Sequence, residues 1–408
     1  SSDADTGEDK MVKGAKREHK TVMEIAQYYT DAFFADCKKL NIKRPDVVQP
    51  ATGCIDEYIK IIAKLMDTGY AYFAGGNVYF DTSRLDHYYV FNDHDEDDLA
   101  VGVREGVEED TNKRNKNDFV LWFTKSKFEN QALKWDSPWG IGYPGWHIEC
   151  SEMSKKYLGE QIDIHAGGED LIFPHHENEI AQSEAANGKE FSRYWMHNGF
   201  LNIDNRKMSK SLGNFFTVRE ISEKYDLQVL RFFMLSAHYR SPLNFSAELM
   251  EAAKSGLERI ITAAERLKFL MGSAKTEDMA ETEAEKFAKS AEYVGNFESA
   301  MDDDFNTADA IAAVFDLVKF INTMTDEDSS KEYLENLFDR LVRLTEVLGI
   351  IVDKEDEILD SDIEALIAER QAARKEKNFA RADEIRDELL AKGIVLKDTR
   401  EGVQWKRA

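Results

Sequence analysis

The stretch that decides the fold lies near the middle of the chain, where residues 162–182 read IDIHAGGEDLIFPHHENEIAQ. Residues 162–165 predict a short buried strand. The strand runs into Gly167 and Gly168, and a helix is predicted from Pro174. A strand, a glycine turn and a helix start in succession are typical of the ligand-binding edge of an α/β sheet. The sequence therefore predicts a functional site at this edge.

Three potential metal ligands lie on or near that edge. His175 and Glu179 are four residues apart on the predicted helix, so they share one face. Cys150 belongs to a different element, which the fold would have to bring close. Cysteine, imidazole and carboxylate groups are the usual zinc ligands, but a buried cysteine beside an ordinary pair on a helix surface fits the same residues. The pattern by itself leaves both interpretations open.

Upstream of this edge, residues 135–150 crowd tryptophans and glycines into a short space. Glycine lets a backbone approach a neighbour closely, and an aromatic ring offers a flat contact surface. The ring of Trp146 could therefore cover a small apolar or sulfur-bearing ligand. From these residues alone a packed aromatic turn is the favoured interpretation, and a pocket wall is the alternative.

Downstream, residues 207–214 read KMSKSLGN. Two lysines flank a serine in a predicted loop, and such a loop can offer ammonium groups and backbone donors to a polyphosphate. A lone lysine–serine–lysine pattern is more often a solvated basic loop. The full string, with the glycine turn upstream, is much more specific and favours a phosphate-binding loop.

The remaining pattern outlines the other elements. They are helices over residues 9–40 and 53–69, a β-hairpin over 70–80, a charged loop over 92–117, a strand over 120–123 and an almost wholly helical bundle from about 247. The inward face predicted for the second helix consists of Ile55, Ile59, Ile62 and Met66. Within the bundle, Asn306 or Thr307 is a good helix N-cap.

Composition restricts the class of protein. The 408 residues carry 53 basic against 78 acidic side chains, a net charge of −25, which argues against non-specific coating of nucleic acid. Three cysteines cannot build a disulfide framework, so a reducing compartment, the cytoplasm, is expected. No apolar run is long enough to span a membrane.

One local exception to the acidic charge lies at the end of the chain. Residues 371–408 hold ten Lys or Arg against seven Asp or Glu. With Trp405, these basic side chains could contact phosphates and stack on a base. A solvated helix face is the ordinary interpretation of such a charge run.

Taken in order, these motifs resemble the cysteinyl-tRNA synthetase family of class I aminoacyl-tRNA synthetases, and the resemblance runs from about residue 9 to the end. The motifs that carry it are WG (139–140), GWHIEC (145–150), DIHAGGED (163–170), FPHHENEIAQ (173–182), MHNG (196–199), KMSKS (207–211), DDFNT (303–307) and RAD (381–383).

The resemblance implies an α/β Rossmann-type catalytic domain with an insertion, followed by an α-helical bundle for anticodon binding and a small C-terminal unit. The domains it implies are residues 1–64, the first part of the catalytic domain; 65–142, a connective insertion; 143–246, the second half of the catalytic domain; 247–352, the bundle; and 353–408, an anticodon-recognition unit.

The implied reaction joins L-cysteine to ATP, giving cysteinyl-adenylate and pyrophosphate, and then transfers the cysteinyl group to tRNA(Cys). Cys150, His175 and Glu179 resemble ligands of one zinc ion per chain, which would take the substrate as its thiolate. A soft thiolate binds zinc far better than a serine hydroxyl does, whereas an apolar pocket separates close analogues by only about 10–200-fold. The metal is therefore a reason why no editing domain is needed.

The other site residues follow from the same resemblance. Trp146 and His165 resemble the substrate pocket. The ATP site, with Mg²⁺ expected alongside, resembles Gly167, Gly168, Asp170, Lys207, Ser209 and Lys210. Lys207 and Lys210 are the expected catalytic residues because positioned cations stabilise the charge that develops on the phosphates. Of the two, Lys210 is expected to have the larger effect.

The sequence departs from the family at its front. The family has an upstream zinc cysteine and a His-Ile-Gly-His signature, and the 408 residues contain neither at a matching place; Cys37 and Cys54 do not match. We expect an N-terminal segment before Ser1 in the encoded protein, and a monomer. Two alternatives are a tRNA-independent cysteine ligase of thiol-cofactor biosynthesis and a truncated, non-catalytic RNA-binding paralogue.

Overall fold

The structure is a computed structural model that describes residues 10–91, 110–125, 131–208, 213–352, 360–375, 378–399 and 402–407. Ser209 and Lys210 of the predicted site lie outside these residues, and so does most of the predicted loop over 92–117. None of the helices in the described ranges is long and apolar enough to cross a membrane.

The described chain begins with helices α1 (Lys10–Glu18), α2 (Val22–Lys39) and α3 (Ile55–Asp67). The helical pattern predicted over 9–40 is confirmed but is divided between two helices, because His19 takes a left-handed backbone with φ 53° and Thr21 caps the start of the second helix. The Thr21 hydroxyl accepts the Glu24 N–H at 3.2 Å, and the Glu24 carboxylate accepts the Thr21 N–H at 2.7 Å. This capping box fixes the start of α2.

Helix α3 turns a different face inward from the one predicted. Its buried residues are Tyr58, Ile61, Ile62 and Leu65, whereas Ile55, Ile59 and Met66 are only partly covered. The difference arises at Tyr58, whose ring is fully buried while its hydroxyl donates to the Ala51 carbonyl at 3.0 Å. A tyrosine with a satisfied hydroxyl behaves as a large apolar residue.

An antiparallel sheet packs on α3. Its strands, in spatial order, are β1 (Ala71–Ala74), β2 (Asn77–Phe80), β3 (Phe119–Phe123) and β4 (Tyr143–Pro144). The predicted hairpin is confirmed, with Ala71 opposite Phe80. Gly75 and Gly76 form its turn with φ of 60° and 102°, which a two-residue hairpin turn of this hand requires. The implied boundary at residue 64 falls inside α3, and the division into domains stays a prediction.

The parallel part of the fold follows. Helix α4 (Trp146–Leu158) leads to β5 (Ile162–Gly168), helix α5 (Glu177–Asn187) and β6 (Ser192–Asn198), which pairs parallel with β5. The prediction that residues 162–165 are buried is wrong beyond Ile162, because Ile164 is 51% exposed and its register partner Tyr194 is 68% exposed. In the described part of the chain this sheet has only two strands, so less of its surface is covered than in a wider parallel sheet.

A small sheet connects this part to the helices. Strands β7 (Leu201–Ile203), β8 (Arg206–Lys207) and β9 (Leu243–Phe245) lie in the order β8-β7-β9, with β7 and β9 parallel. Between β8 and β9 lie the short helix α6 (Val218–Ser222) and helix α7 (Leu227–Leu235).

The predicted bundle is present as helices α8 (Ala247–Ser273), α9 (Glu281–Lys289), α10 (Ala291–Asp302), α11 (Thr307–Met324) and α12 (Lys331–Val347). Phe232 and Phe233 of α7 share one core with these helices. Asn306 caps α11 by accepting the Asp309 N–H at 3.2 Å, as predicted. Apolar packing of Phe232 and Phe233 thus joins α7 to the bundle.

The last unit has its own core. Helices α13 (Asp360–Lys375) and α14 (Phe379–Ala391) are followed by the antiparallel strands β10 (Ile394–Thr399) and β11 (Gly402–Arg407). The buried residues of this core are Ile363, Ile367, Ile385, Leu389 and Ile394. Two helices and a hairpin thus bury a separate small cluster after the bundle.

Glu283 joins two helix starts in the bundle and gives a prediction for stability. Its buried carboxylate accepts the Ser330 N–H at 2.9 Å and the Ala280 N–H at 3.0 Å. We expect Glu283→Ala to lower the free energy of unfolding by about 1–3 kcal/mol, because buried donors lose their acceptor. Denaturant unfolding measures this, with Glu285→Ala on the exposed face of α9 as control.

The same variant should show a dependence on pH. Burial alone would raise the pKa of Glu283, but the hydrogen bonds from Ser330 and Ala280 outweigh it and lower that pKa below its ordinary value of 4.5. A lowered pKa gives stabilisation that is present above about pH 4.5 and is lost as the pH falls through the folded-state pKa. The difference between Glu283→Ala and wild type should therefore shrink in acid. A difference that grows in acid would contradict this account.

Candidate active site

The candidate site lies where the parallel strands β5 and β6 end. Gly167 and Gly168 at the end of β5 pair with His197 and Asn198 at the end of β6. The carboxyl ends of parallel strands form the usual ligand-binding crevice of open α/β sheets. This location agrees with the predicted ligand-binding edge.

The helix predicted from Pro174 is present, and two short turns connect it to β5. A 3₁₀ turn (Glu169–Leu171) is followed by a π-helical turn (Ile172–His176), whose backbone is helical from Pro174 onward and continues into α5 at Glu177. Phe173, with φ −127° and ψ 132°, breaks the helical backbone just before Pro174. The wide turn leaves both His175 and His176 buried.

The three predicted metal ligands come together in space. Cys150 comes from α4, His175 from the π-helical turn and Glu179 from α5, and one ligand atom of each lies within 4.8 Å of the others. The His175 Nε2 is 3.6 Å from the Glu179 Oε2. The fold thus brings Cys150 close to His175 and Glu179, which the sequence alone could not show. In the described part of the chain, neither candidate metal cluster includes Cys37 or Cys54.

The buried Glu179 carboxylate has a hydrogen-bond partner for only one of its two oxygens among the described residues. Its side chain is fully buried; its Oε2 lies 3.0 Å from the His165 Nε2, while its Oε1 has no hydrogen-bond partner among the described residues. Burial raises the pKa of Glu179 above its ordinary value, because an unpaired buried charge is costly. A cation bound by Oε1 would remove that cost. The orphaned oxygen therefore fits a metal ligand.

The pKa values of His175 and Cys150, the other two predicted ligands, also favour a metal ion at this place. Burial lowers the pKa of His175 to about 3, so its imidazole is neutral, the form that binds metals. Burial, with Glu179 and Glu149 nearby, raises the pKa of the Cys150 thiol to about 12. A thiolate at this place needs a neighbouring positive charge. The set of donors, one sulfur, one nitrogen and one oxygen, is a zinc-type set.

His147 was missed as a site residue and orients His175. The Nδ1 atoms of the two rings are 2.9 Å apart, so one ring donates a hydrogen bond to the other. Burial lowers the pKa of His147 to about 3, which keeps its ring neutral and able to accept. This contact occupies the Nδ1 of His175 and leaves its Nε2 available to a metal ion. A second group that fixes the tautomer of a ligating histidine is usual in metal sites.

His176 and His197 were missed as well. The His176 Nδ1 lies 2.8 Å from the His197 Nε2, and His176 forms with His165 and Glu179 a second trio of potential ligands. That trio lacks sulfur, so it fits a soft metal less well than the first. The signal in the sequence was density: five of the nine histidines lie between residues 147 and 197.

Trp146, the first residue of α4, borders the predicted metal ligands. Its ring, 41% exposed, stacks on the ring of His175 with centroids 4.2 Å apart and an angle of 28°. The aromatic segment is thus a helix start rather than the packed turn that the residues alone favoured. An exposed indole beside the metal ligands agrees with the alternative, a pocket wall.

The glycines upstream of α4 serve packing. A Cβ on Gly142 would lie 1.9 Å from the Phe123 carbonyl oxygen, and one on Gly145 would lie 2.1 Å from that of Val120. Both contacts are with β3, so the glycines let the start of α4 lie directly on that strand. The expectation of a close approach is met, but its partner is the protein's own backbone.

The predicted ATP-binding residues lie along the strand end. Gly167 leaves room for the ring of His176, since a Cβ there would be 2.7 Å from its Cε1. Asp170 is exposed in the 3₁₀ turn that follows β5. Lys207 ends β8, and Met208 separates it from residues 209–212, which the structure does not describe. Whether these residues bind ATP stays a prediction.

Comparison of the fold identifies a class of protein. A structure of Mycobacterium tuberculosis methionyl-tRNA synthetase in complex with methionyl-adenylate matches with a TM-score of 0.58 and 15% identity, over 86% of this chain and 83% of that one. At such low identity the match concerns the fold alone. Residues 4–255 match the family of class I (C) tRNA synthetase catalytic domains, residues 296–352 the DALR domain, and residues 356–405 the cysteinyl-tRNA ligase anticodon binding domain. The fold is that of a class I aminoacyl-tRNA synthetase.

Curated relatives narrow this class. Cysteine–tRNA ligases of Lachnospira eligens and Clostridioides difficile are 57% and 51% identical to the chain, and each alignment covers 98% of this chain and 85% of the relative. The chain belongs to the cysteine–tRNA ligase family, as the sequence motifs predicted. The two alternative functions, a tRNA-independent ligase and a non-catalytic paralogue, are not supported.

The tight contact of Gly145 with β3 gives a prediction. Its φ of −67° suits any residue, so Gly145→Ala should act only through the clash with the Val120 carbonyl. We expect a loss of about 1–3 kcal/mol in unfolding free energy, as is usual for overpacking. The control is Gly295→Ala in α10, where an added Cβ meets nothing within 4 Å. There alanine should stabilise by about 0.5–1 kcal/mol. Equal effects of the two variants in denaturant unfolding would contradict the packing argument.

Proposed function

We propose that the chain activates L-cysteine with ATP and transfers the cysteinyl group to tRNA(Cys), with zinc bound by Cys150, His175 and Glu179. The observation that carries the proposal is that ligand atoms of these three side chains lie within 4.8 Å of one another, while the Oε1 of Glu179 has no hydrogen-bond partner among the described residues. Zinc, when bound, would hold the substrate sulfur as a thiolate and so discriminate against a hydroxyl. Membership of the cysteine–tRNA ligase family accounts for the amino acid, ATP and tRNA as substrates.

The surrounding residues orient the ligands. His165 holds one oxygen of Glu179 at 3.0 Å. Because the carboxylate is planar, this contact also fixes the direction of its other oxygen. His147 holds His175 at 2.9 Å and fixes which nitrogen is free. Trp146 stacks on His175 and covers one side of the space where the cysteine side chain would lie. We assign substrate binding to Trp146, while the contact of His165 with Glu179 supports a positioning role for His165.

The ATP site is proposed on the other side of the strand ends. Gly167, Gly168 and Asp170 would contact adenosine, and Lys207, Ser209 and Lys210 the phosphates, with Mg²⁺. The support is the position of β5 and its following turn at the carboxyl edge of the parallel pair. The lysines would stabilise charge on the phosphates as adenylate forms. We also propose a cytoplasmic monomer.

Pyrophosphate exchange tests the function and the metal together. We expect the purified protein to bind about one zinc per chain. Exchange should depend on cysteine and should be slower with serine by more than the roughly 200-fold that an apolar pocket provides. Cys150→Ala should lose both zinc and exchange, measured by metal analysis and by incorporation of labelled pyrophosphate.

The matched control is Cys37→Ala, because Cys37 lies on α2 and belongs to neither candidate cluster. It should keep both zinc and exchange. Equal exchange with serine and cysteine would refute selection by a metal-bound thiolate. Zinc retained by Cys150→Ala would remove Cys150 from the ligand set.

Lys210 gives a separate kinetic prediction. Lys210→Ala should reduce the rate of adenylate formation by roughly 10²–10³-fold, as loss of one preorganised charge-stabilising group does elsewhere. The KM for cysteine should change little, since the lysine is assigned to the phosphates. Single-turnover adenylate formation measures the rate, and Lys224→Ala, an exposed lysine after α6, is the control. A loss confined to cysteine affinity would disprove the assigned role.

A further inference from the structure

Arg231 joins two helix ends that belong to different parts of the chain. It lies on α7, and its Nε donates to the Leu348 carbonyl at 2.7 Å. Its Nη1 donates to the carbonyls of Leu40 and Asn41 at 2.9 and 3.1 Å. Leu40 is the C-cap of α2 and Leu348 is the C-cap of α12. One guanidinium therefore bonds the ends of α2 and α12 at once.

The charge of Arg231 suits this position. The last carbonyls of a helix lack partners within the helix and carry partial negative charge. Among the described residues no carboxylate pairs with Arg231, so the two helix ends are its counter-charge. Burial lowers the pKa of Arg231, yet an arginine stays charged at physiological pH.

Neighbouring residues complete the junction. The Asn41 side chain donates to the Gly349 carbonyl at 2.8 Å, and the Ile351 N–H donates to the Gln228 side chain at 3.1 Å. Gly349 has φ 66°, and a Cβ there would lie 2.3 Å from the Nη2 of Arg231. The guanidinium thus packs against a place that only glycine can occupy without displacement. We call Arg231, Gln228, Asn41 and Gly349 the helix-end junction.

The junction crosses a boundary in the family architecture. Arg231 and Asn41 lie in the part that matches the catalytic domain, residues 4–255, while Gly349 lies in the part that matches the DALR domain, residues 296–352. Apolar packing already joins α7 to the bundle. The hydrogen bonds from Arg231 and Asn41 add α2, whose connection leads to α3, and α3 packs on the helices that carry Cys150 and Glu179.

We propose that Arg231 is a positioning residue for aminoacylation of full-length tRNA. By holding the end of α2 against the end of α12, it fixes the bundle relative to the catalytic part. A tRNA bound at the far end then presents its 3′ terminus to the site at the right place. The inference rests on the proposed function and concerns the transfer step, because adenylate formation needs no contact with the bundle.

The test compares two RNA substrates. Arg231→Gln should leave cysteine-dependent pyrophosphate exchange unchanged. It should also leave kcat/KM unchanged for a minihelix that carries only the acceptor stem of tRNA(Cys). With the full tRNA(Cys) transcript, kcat/KM should fall roughly tenfold or more, a usual size for coupling between distant sites. Arg231→Lys keeps the charge but not the planar fork, so it should recover only part of the loss. If Arg231→Gln unfolds below the assay temperature, the two RNA substrates are compared with Arg231→Lys instead.

A substitution on the bundle side of the helix-end junction should have the same effect on charging as Arg231→Gln. Gly349→Ala places a methyl group against the guanidinium, and Gly69→Ala, with φ 80° and nothing within 4 Å, controls for the strained backbone alone. Only Gly349→Ala should lower charging of the full tRNA. The double variant Arg231→Gln with Gly349→Ala should be no worse than the poorer single variant, because both remove one junction.

A variant inside the bundle distinguishes positioning from general destabilisation. Arg266 donates to the carbonyl of Thr325 at 2.7 Å. This bond is of the same kind as those of Arg231, but it does not involve the helix-end junction. Arg266→Gln should affect the melting temperature without altering the ratio between full tRNA and minihelix. Equal losses on both RNAs for Arg231→Gln would overturn the proposal. Absence of cysteine-dependent exchange in the wild type would instead refute the proposed function.

Discussion

The buried carboxylate of Glu179 is the constraint on which the candidate site depends. A charge removed from water is costly unless it is paired, and one oxygen of this carboxylate has no partner in the described part of the protein. The rings around it do not supply the missing charge, because burial lowers the pKa of His147, His175 and His176 to about 3. A bound cation would resolve this imbalance, and the neutral rings would then serve as ligand and supports.

The rest of the fold holds the other potential metal ligands close to that carboxylate. Helix α4 lies on strand β3 because Gly145 has no side chain to separate them, and this contact sets the position of Cys150. The π-helical turn sets that of His175, and α3 packs on both α4 and α5. The antiparallel sheet and α3 share one core with these helices, so the predicted insertion also supports the site. On the bundle side, the hydrogen bonds of Arg231 extend the same framework to the end of α12.

Sequence patterns predicted much of the fold where they were local. The hairpin over 70–80, the helix bundle and the Asn306 cap were confirmed because turn glycines, a helical period and a cap side chain act within a few residues. The helical pattern over 9–40 was also confirmed, but the period of apolar residues did not indicate the break between α1 and α2, because it carries no information on a left-handed residue such as His19. The strand at 162–165 was wrong in its burial because exposure depends on how many strands the sheet has.

By itself, the sequence determined the family and the chemical groups present, since a residue's identity fixes whether it offers sulfur, imidazole, carboxylate or ammonium. Cys150, His175, Glu179 and the lysine loop were found in this way. Tertiary structure alone decided their distances, the unpartnered oxygen of Glu179 and the contacts of His147, His176 and His197. It alone decided that one arginine would bond the ends of α2 and α12, since Arg231 meets carbonyls 191 and 117 positions away. Such contacts depend on the packing of whole elements, and a pattern read over neighbouring residues carries no record of it.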